Sequence, residues 1–437
     1  MKGLSLGFCR YWYYIMFEKS CQSYIFDNKK YILSDDGELK EVLQDFSKSG
    51  KENKHSNNKR MTNYLSEVYR NIQNLCKDGK LYDLPCDSYK MNRKSNKLIY
   101  CSNYLEFVHL KDETKHISYI ESCHKSLCPT CNFFRARFNL SCFIQILSTF
   151  LERYQGYKFL FLTLTVRSCY GEDLPSVLDE LSSSWNRFQT FKEFRRAFVA
   201  ASRSLEITVN RDVDSKSYMM FHPHFHIILV ARPDYFVHHS DKRDDIYLSQ
   251  LHFLWLWQRA NKNHNFRSFD KWLDWYKKFW DDFGTSTARL LPEAPPDLIT
   301  QVDVRTIKIH QGKDRAIQDI LKSAVENIKY PFKPDDLLTG NIEEDTPVVF
   351  FMDRAMQHRR RWNLSGLFRD ISKELSIPEE DPDELVQTAG LDPDEIEFFS
   401  SWWFFGKFGE YLRGRKKTDA EKNAVRRFLG LPHIGGD

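Results

Sequence analysis

The sequence predicts an α+β protein: a sheet domain with helices between its strands, a Cys-rich module in front and a charged extension behind. Three observations predict it. Apolar or β-branched runs recur at 157–168, 203–212, 224–232 and 298–309. Segments with helical spacing lie between them, and cysteines cluster ahead of the first run. At 437 residues the chain exceeds one small core, so two or three domains are expected. A hydrophobic share of 41% suits a soluble globular protein, and the 15% aromatic content serves cores or base stacking alike. The net charge of +4 neither demands nor excludes nucleic acid.

Taken in order, the N-terminus "MKGLSLGFCRYWYYIMFEKSCQ" has an apolar run broken by Arg10 and lacks a small-residue cleavage site. No signal peptide and no membrane span are expected, which points to a reducing cytoplasm. Residues 35–98 are polar and basic and read as a linker into a weakly ordered region, so 1–99 is expected to be partly disordered. Residues 100–155 form the Cys-rich module and its basic helix, where Phe134, Phe138, Leu147 and Leu151 recur near helical spacing. The run "YKFLFLTLTVRS" is a strand buried on both faces. "RSLEITVNRD", "HFHIILVAR" and "LITQVDVRTIKI" supply three more strands, and "KDRAIQDILKSAVENIKY" (313–330) a helix. Between the third and fourth strands lies an aromatic helical block in which Trp255, Trp257, Trp272, Trp275 and Phe279 read as core. The sheet domain covers 156–340. In 376–437 an acidic run (nine acidic residues and no basic one in 376–398) precedes a basic helix, a candidate phosphate contact. "HRRRW" (358–362) is a second such candidate, or a charged loop.

Ten cysteines lie between Cys9 and Cys169 and none beyond. Cys123, Cys128 and Cys131 make C-x4-C-x2-C, with Cys101 22 positions ahead. The knuckle around "PT" places two thiolates on one ion, so these four read as a structural zinc site, against the alternative of reduced, unliganded thiols. His109, His116 and His124 are substitutes for Cys101. The module would orient Arg135 and Arg137 toward DNA, and the other six cysteines read as small buried residues.

In "FHPHFHIILV" (221–230), His224 and His226 project from one face of a strand and Phe225 and Ile227 from the other. Two imidazoles about 6 to 7 Å apart along a strand can converge on one divalent ion. Pro223 cannot donate to a ladder, so the strand begins there or lies at an edge, which loosens the register of His222. Glu206, between Leu205 and Ile207, is the preferred third ligand and His222 its substitute. Glu206 has a rival reading as the partner of an arginine. A mixed His and carboxylate site with open positions suits Mn or Mg acting on phosphate. In "SAVENIKYPFK", Glu326 and Tyr330 share a helix face, and Lys322, Lys329 and Lys333 lie around the tyrosine. A phenol is a poor nucleophile near neutrality unless cations stabilise its anion, and these lysines would also hold a phosphodiester.

In their order, "FLTLTVRS", "HPHFHIILV" and "ENIKYPFK" resemble the three motifs of plasmid rolling-circle replication initiators of the HUH (histidine–hydrophobe–histidine) endonuclease superfamily. The branch resembled carries a single nucleophilic tyrosine and a nearby glutamate. "LEITVN", "CHKSLCPTCNFFRARF" and "RRRWNLSGLF" are similar to flanking segments of that family, and the likeness covers about residues 100–370. The resemblance implies an HUH-type antiparallel sheet flanked by helices, followed by a family-like extension over 341–375. It implies a divalent ion on His224 and His226. Tyr330 would attack the phosphodiester, leaving a 5′-phosphotyrosine and a 3′-OH primer. Glu326 would assist the second cleavage, when the strand is rejoined or released. The partners implied are origin DNA, single-stranded at the nick, and a host helicase and polymerase. Pro331 departs from the pattern and bends the chain directly after the tyrosine. The rival readings are a single-strand transposase of the same superfamily and a catalytically silent, zinc-containing DNA-binding regulator. Conjugative relaxases fit less well, because their tyrosine precedes the histidines.

Overall fold

The computed structural model describes residues 23–26, 29–34, 37–44, 54–237, 245–283, 298–299, 301–328, 334–377 and 393–434. No described helix is long and apolar enough to cross a membrane. The chain divides into two compact units. One comprises Met1–Phe138, Leu337–Phe350 and Glu379–Asp437, the other Asn139–Asp336 and Phe351–Pro378.

The second unit is built on a five-stranded antiparallel sheet. Its strands lie in the order Val302–Ile307, Lys158–Thr165, Phe221–Ala231, Phe198–Val209 and Trp362–Gly366. The four strands expected from apolar runs are all present. The fifth comes from the "RRRWNLSGLF" segment, whose mixed polarity suits an edge strand. Gly366 ends it with φ near +59°, and a Cβ there would sit 2.1 Å from the Val199 carbonyl oxygen, so only glycine lets the two backbones meet. The central strand, Phe221–Ala231, starts two residues before Pro223. Pro223 pairs with Ile207 on one side, and pairing with the strand on the other side begins only at His224. The proline thus occupies a position where its missing N–H leaves no broken bond with that neighbour.

Alternation assigns the two faces of this sheet. Ile228, Val230, Ala200, Phe159 and Ile307 cover the lower part of the face that bears the histidines. They pack against Phe143, Ile146, Leu147 and Phe150 of the Pro129–Arg153 helix, Ile320 of the Lys313–Ile328 helix, and Phe368 and Ile371 of the Leu367–Glu374 helix. On the opposite face Arg203 lies over Phe225 and reaches Trp185 of the Leu174–Thr190 helix. The aromatic block forms two helices, Gln250–Ala260 and Phe269–Phe283, and Trp255, Trp257 and Trp272 are buried core, as read from spacing. The architecture is therefore mixed, an antiparallel sheet with helices on both faces.

The first unit contains a four-stranded antiparallel sheet in the order Glu410–Arg413, Ile396–Phe405, Tyr104–Leu110 and Lys115–Ile120. Two expectations need correction here. Residues 54–100, read as part of a weakly ordered linker, form the helices Lys54–Leu75 and Ser88–Tyr100. Leu65, Val68, Tyr69 and Ile72 recur at helical spacing and are buried, as are Met91 and Leu98, and between them Ser66 Oγ donates to the Ser95 carbonyl and Ser95 Oγ to that of Ser66, at 2.9 and 3.0 Å. The basic C-terminal segment is in part turned inward rather than toward a phosphate. Lys417 is buried against Glu121 and Lys422 against Glu106, and Arg426 of the Asp419–Leu429 helix is buried too. Within the acidic run, residues 378–392 lie outside the described residues.

Candidate metal centres and nuclease site

In the first unit Cys101, Cys123, Cys128 and Cys131 come together, all fully buried. The sulfur of Cys101 lies 3.6 Å from those of Cys128 and Cys131, and that of Cys123 lies 3.7 Å from that of Cys131. A disulfide needs about 2.05 Å. A tetrahedron with metal–sulfur bonds of about 2.3 Å has edges of about 3.8 Å, close to what is seen. The local chain explains the convergence. Cys101 ends the Ser88–Tyr100 helix, and Cys128 and Cys131 bracket the first turn of the Pro129–Arg153 helix. His109, His116 and His124 do not join the group; His124 Nε2 instead meets Ser122 Oγ at 2.7 Å.

Two neighbours of this group escaped the sequence reading. Thr62 Oγ1 sits 3.6 Å from Cys128 Sγ. Lys59 is fully buried and donates to the carbonyls of Ile99 and Cys101 at 2.8 and 2.7 Å. Burial presses its ammonium down to about 8, while the adjacent thiols act in the opposite direction. Both residues belong to the N-terminal half of the Lys54–Leu75 helix, which is polar, while its apolar stripe of Leu65, Val68, Tyr69 and Ile72 lies further along.

In the second unit the strand register sets His224 opposite Glu206 and Thr165, and His226 opposite Ser204 and Thr163. Glu206 Oε2 lies 3.1 Å from His224 Nε2 and 2.7 Å from His226 Nε2, and the two Nε2 atoms are 3.1 Å apart. His224 Nδ1 donates to the His222 carbonyl, 3.2 Å away, because a carbonyl can only accept. That leaves Nε2 of His224 facing a carboxylate oxygen and a second imidazole. Three electron-pair donors converging at such distances need a cation, a proton or a metal, between them. Burial opposes the charge on Glu206, yet the hydrogen bonds with His224 and His226 outweigh it and hold the carboxyl down to about 2.

His222 stands apart from the triad. Its ring centre is 5.5 Å from that of His224, and its Nδ1 meets Ser168 Oγ at 3.3 Å. The arginine partner considered for Glu206 is replaced by the two histidines. Thr163 was not singled out in the sequence, yet its Oγ1 lies 3.3 Å from His226 Nδ1. The signal was present in "FLTLT", where Thr163 and Thr165 share a face, but it becomes readable only once the cross-strand register is known.

The Lys313–Ile328 helix is packed through Ile320 onto the same sheet face as the triad. Tyr330, Lys329 and Lys333 lie outside the described residues, as does the side chain of Glu326. Arg135, expected to face DNA, is instead buried and donates to the Lys125 carbonyl and Asn132 Oδ1. Arg137 is exposed and lies over the Phe133 ring. In the "HRRRW" segment Arg359 pairs with Asp179 at 2.8 Å.

A family model described as "Replication protein" matches residues 114–269 and 295–408. The chain is 26% identical to a "Protein rep" of Bacillus amyloliquefaciens over 81% of its own length and 91% of that protein's. It is 28% identical to a "Protein rep" of a Bacillus species, over 68% and 85% of the two chains. A third "Protein rep", from Streptococcus pneumoniae, is 25% identical over 68% and 76%. No solved structure matches. The family match spans both sides of the histidine strand and more than half of the chain, and the motif order already pointed the same way: the chain belongs to the replication protein family, as a plasmid rolling-circle replication initiator.

Proposed function

We propose that the protein starts replication as a metal-dependent HUH-type nuclease that nicks one strand of origin DNA by tyrosine attack. The observation that carries this reading is the Glu206–His224–His226 triad on one face of the sheet. Its donor separations of 2.7 to 3.1 Å fit three adjacent ligands of an octahedral ion, whose edges are about 3.0 Å for bonds near 2.1 Å. Tetrahedral zinc with similar bonds would spread them to about 3.4 Å, so manganese or magnesium is the better fit. Bound there, the cation would polarise the scissile phosphate and stabilise charge on its oxygens.

The chain's own groups supply the rest. Glu206, His224 and His226 present the ligand atoms, and the bonds at each Nδ1 aim both Nε2 atoms inward. The Tyr330 hydroxyl attacks phosphorus and the 3′-oxygen departs with the proton, giving a 5′-phosphotyrosine and a 3′-OH primer. Lys329 and Lys333 hold the phosphodiester backbone and favour the phenolate. Glu326 takes the proton from water or from an incoming hydroxyl in the second cleavage, so that the strand is released or rejoined. Support for the helix that carries Glu326 comes from Ile320, seated against Ile228 and Val230. The cysteine tetrahedron suits a structural zinc ion that fixes the knuckle ahead of the Pro129–Arg153 helix.

Labelled single-stranded origin DNA incubated with manganese tests the reading. Wild type is expected to nick it and to become covalently attached, and chelation, His224→Ala and His226→Ala each to abolish both. Nicking that survives chelation, or survives loss of either histidine, would refute the proposed centre.

A further inference from the structure

The Ser88–Tyr100 helix carries four basic side chains, Lys90, Arg93, Lys94 and Lys97, and no acidic one. At 100° per residue these four fall within one arc of about 100°, while Met91, Ser95 and Leu98 occupy the buried side, centred about 120° round the helix. The orientation is fixed rather than average, because the Ser66–Ser95 hydrogen bonds and the burial of Leu98 hold the inner face against the Lys54–Leu75 helix. Lys90 and Arg93 are exposed. The ridge is about 10 Å long from Lys90 to Lys97. Lys125, from the loop before Cys128, adds a further positive charge beside it: burial lowers Lys97 below its ordinary range, and repulsion from Lys125 and Arg93 lowers it further.

Concentrating like charge on a rigid helix face costs self-repulsion, which a polyanion relieves. Tyr89 and Tyr100 are exposed at the edge of the arc and Lys94 lies over the Tyr69 ring, but no aromatic side chain of the helix falls within the arc of the four cations, whereas single-strand grooves interleave aromatic platforms with their charges. We propose that this cationic face of the Ser88–Tyr100 helix, together with Lys125, is a docking surface for the phosphate backbone of duplex origin DNA. The helix lies outside the residues matched by the family model, so the surface adds to the chemistry those residues carry. The assignment rests on origin DNA being the substrate, and it makes a segment that composition marks as a linker into a DNA-binding element.

The full-length protein is titrated with a fluorescent duplex origin fragment, and with a single strand of equal length, across a series of salt concentrations. Lys90→Gln/Arg93→Gln/Lys94→Gln removes three charges and keeps helix propensity, and it leaves Lys97, which donates to the Leu429 carbonyl. For duplex, the slope of log K against log salt is expected to flatten by about 2 to 3 units. Duplex affinity at 0.15 M salt should fall on the order of 10²-fold, by the same counterion argument. The charge-preserving variant Lys90→Arg/Arg93→Lys/Lys94→Arg should bind as wild type, which separates charge from helix damage. An unchanged slope in the neutral variant, or a loss confined to the single strand, overturns the proposal. Binding is read without cleavage, so a wild type that binds with the steep slope and forms no covalent adduct would sink the nuclease reading alone.

Discussion

Replacing Thr163 by valine tests the triad without touching a ligand. Valine keeps the shape of threonine and suits a strand, so the change removes little more than the hydroxyl facing His226 Nδ1. Without that partner the imidazole is freer to rotate and to exchange tautomers, and Nε2 spends less time aimed at Glu206. Losing such a supporting bond typically weakens metal binding by about 10- to 100-fold. The observed 3.3 Å is just beyond the usual hydrogen-bond range, so the lower end applies. That is about tenfold, or about 1.4 kcal/mol. Calorimetric titration of the metal-stripped protein with manganese, at fixed pH and without DNA, reads this directly. Thr163→Ser restores the hydroxyl and should bind within about twofold of wild type, since only a methyl group is lost. If Thr163→Val binds manganese as wild type does, or if Thr163→Ser loses as much, the hydroxyl does not hold His226.

Two further outcomes follow from buried charge. Lys417→Met leaves Glu121 charged, buried and without its lysine, and should destabilise the protein by about 3–5 kcal/mol in urea unfolding. Adding Glu121→Gln should recover much of that loss, and a double variant as weak as the sum of the singles would show that the pair does not act together. His264 donates from Nε2 to the Trp255 carbonyl and accepts at Nδ1 from the Phe266 N–H, so a proton at Nδ1 has no place. Burial, with the Arg259 charge adding to it and the Trp255 bond opposing it, puts its pKa at about 4, below the 6.5 of the unfolded chain. The unfolded state then binds more protons between those values. Stability is full above about pH 6.5 and falls by roughly 1–3 kcal/mol as pH drops to 4. In His264→Gln that part of the pH dependence should vanish, as measured by denaturant midpoints over the same range.

Much of the candidate site was legible because strand alternation is a local rule. His224 and His226 at alternate positions must share a face, and a carboxylate inside "SLEITV" needs a partner. The cysteine knuckle was legible for the same reason, since C-x2-C at a helix start brings two sulfurs together without help from distant chain. What escaped depends on partners far apart in sequence. The Ser66–Ser95 pairing joins two helices at a polar contact, and Lys59 is buried because three helix-end carbonyls await it. Lys417 and Lys422 look solvated until Glu121 and Glu106 are brought beneath them. Arg135 was misjudged for a related reason. Its helix face could be inferred, but not that a carbonyl of the preceding loop lies within reach. Buried polar pairing is the common element, and apolar periodicity does not register it.

The central claim is that Tyr330 makes the covalent bond to DNA. Wild-type protein is allowed to react with single-stranded origin DNA and manganese, then digested with nuclease and trypsin, and the nucleotide-bearing peptide is sequenced by mass spectrometry. Cleavage after Lys329 places Tyr330 at the start of its peptide. The expected result is a nucleotide joined through a 5′-phosphate to Tyr330, absent from Tyr330→Phe. A nucleotide on any other residue, or a Tyr330→Phe protein that still becomes attached to the strand, contradicts the mechanism.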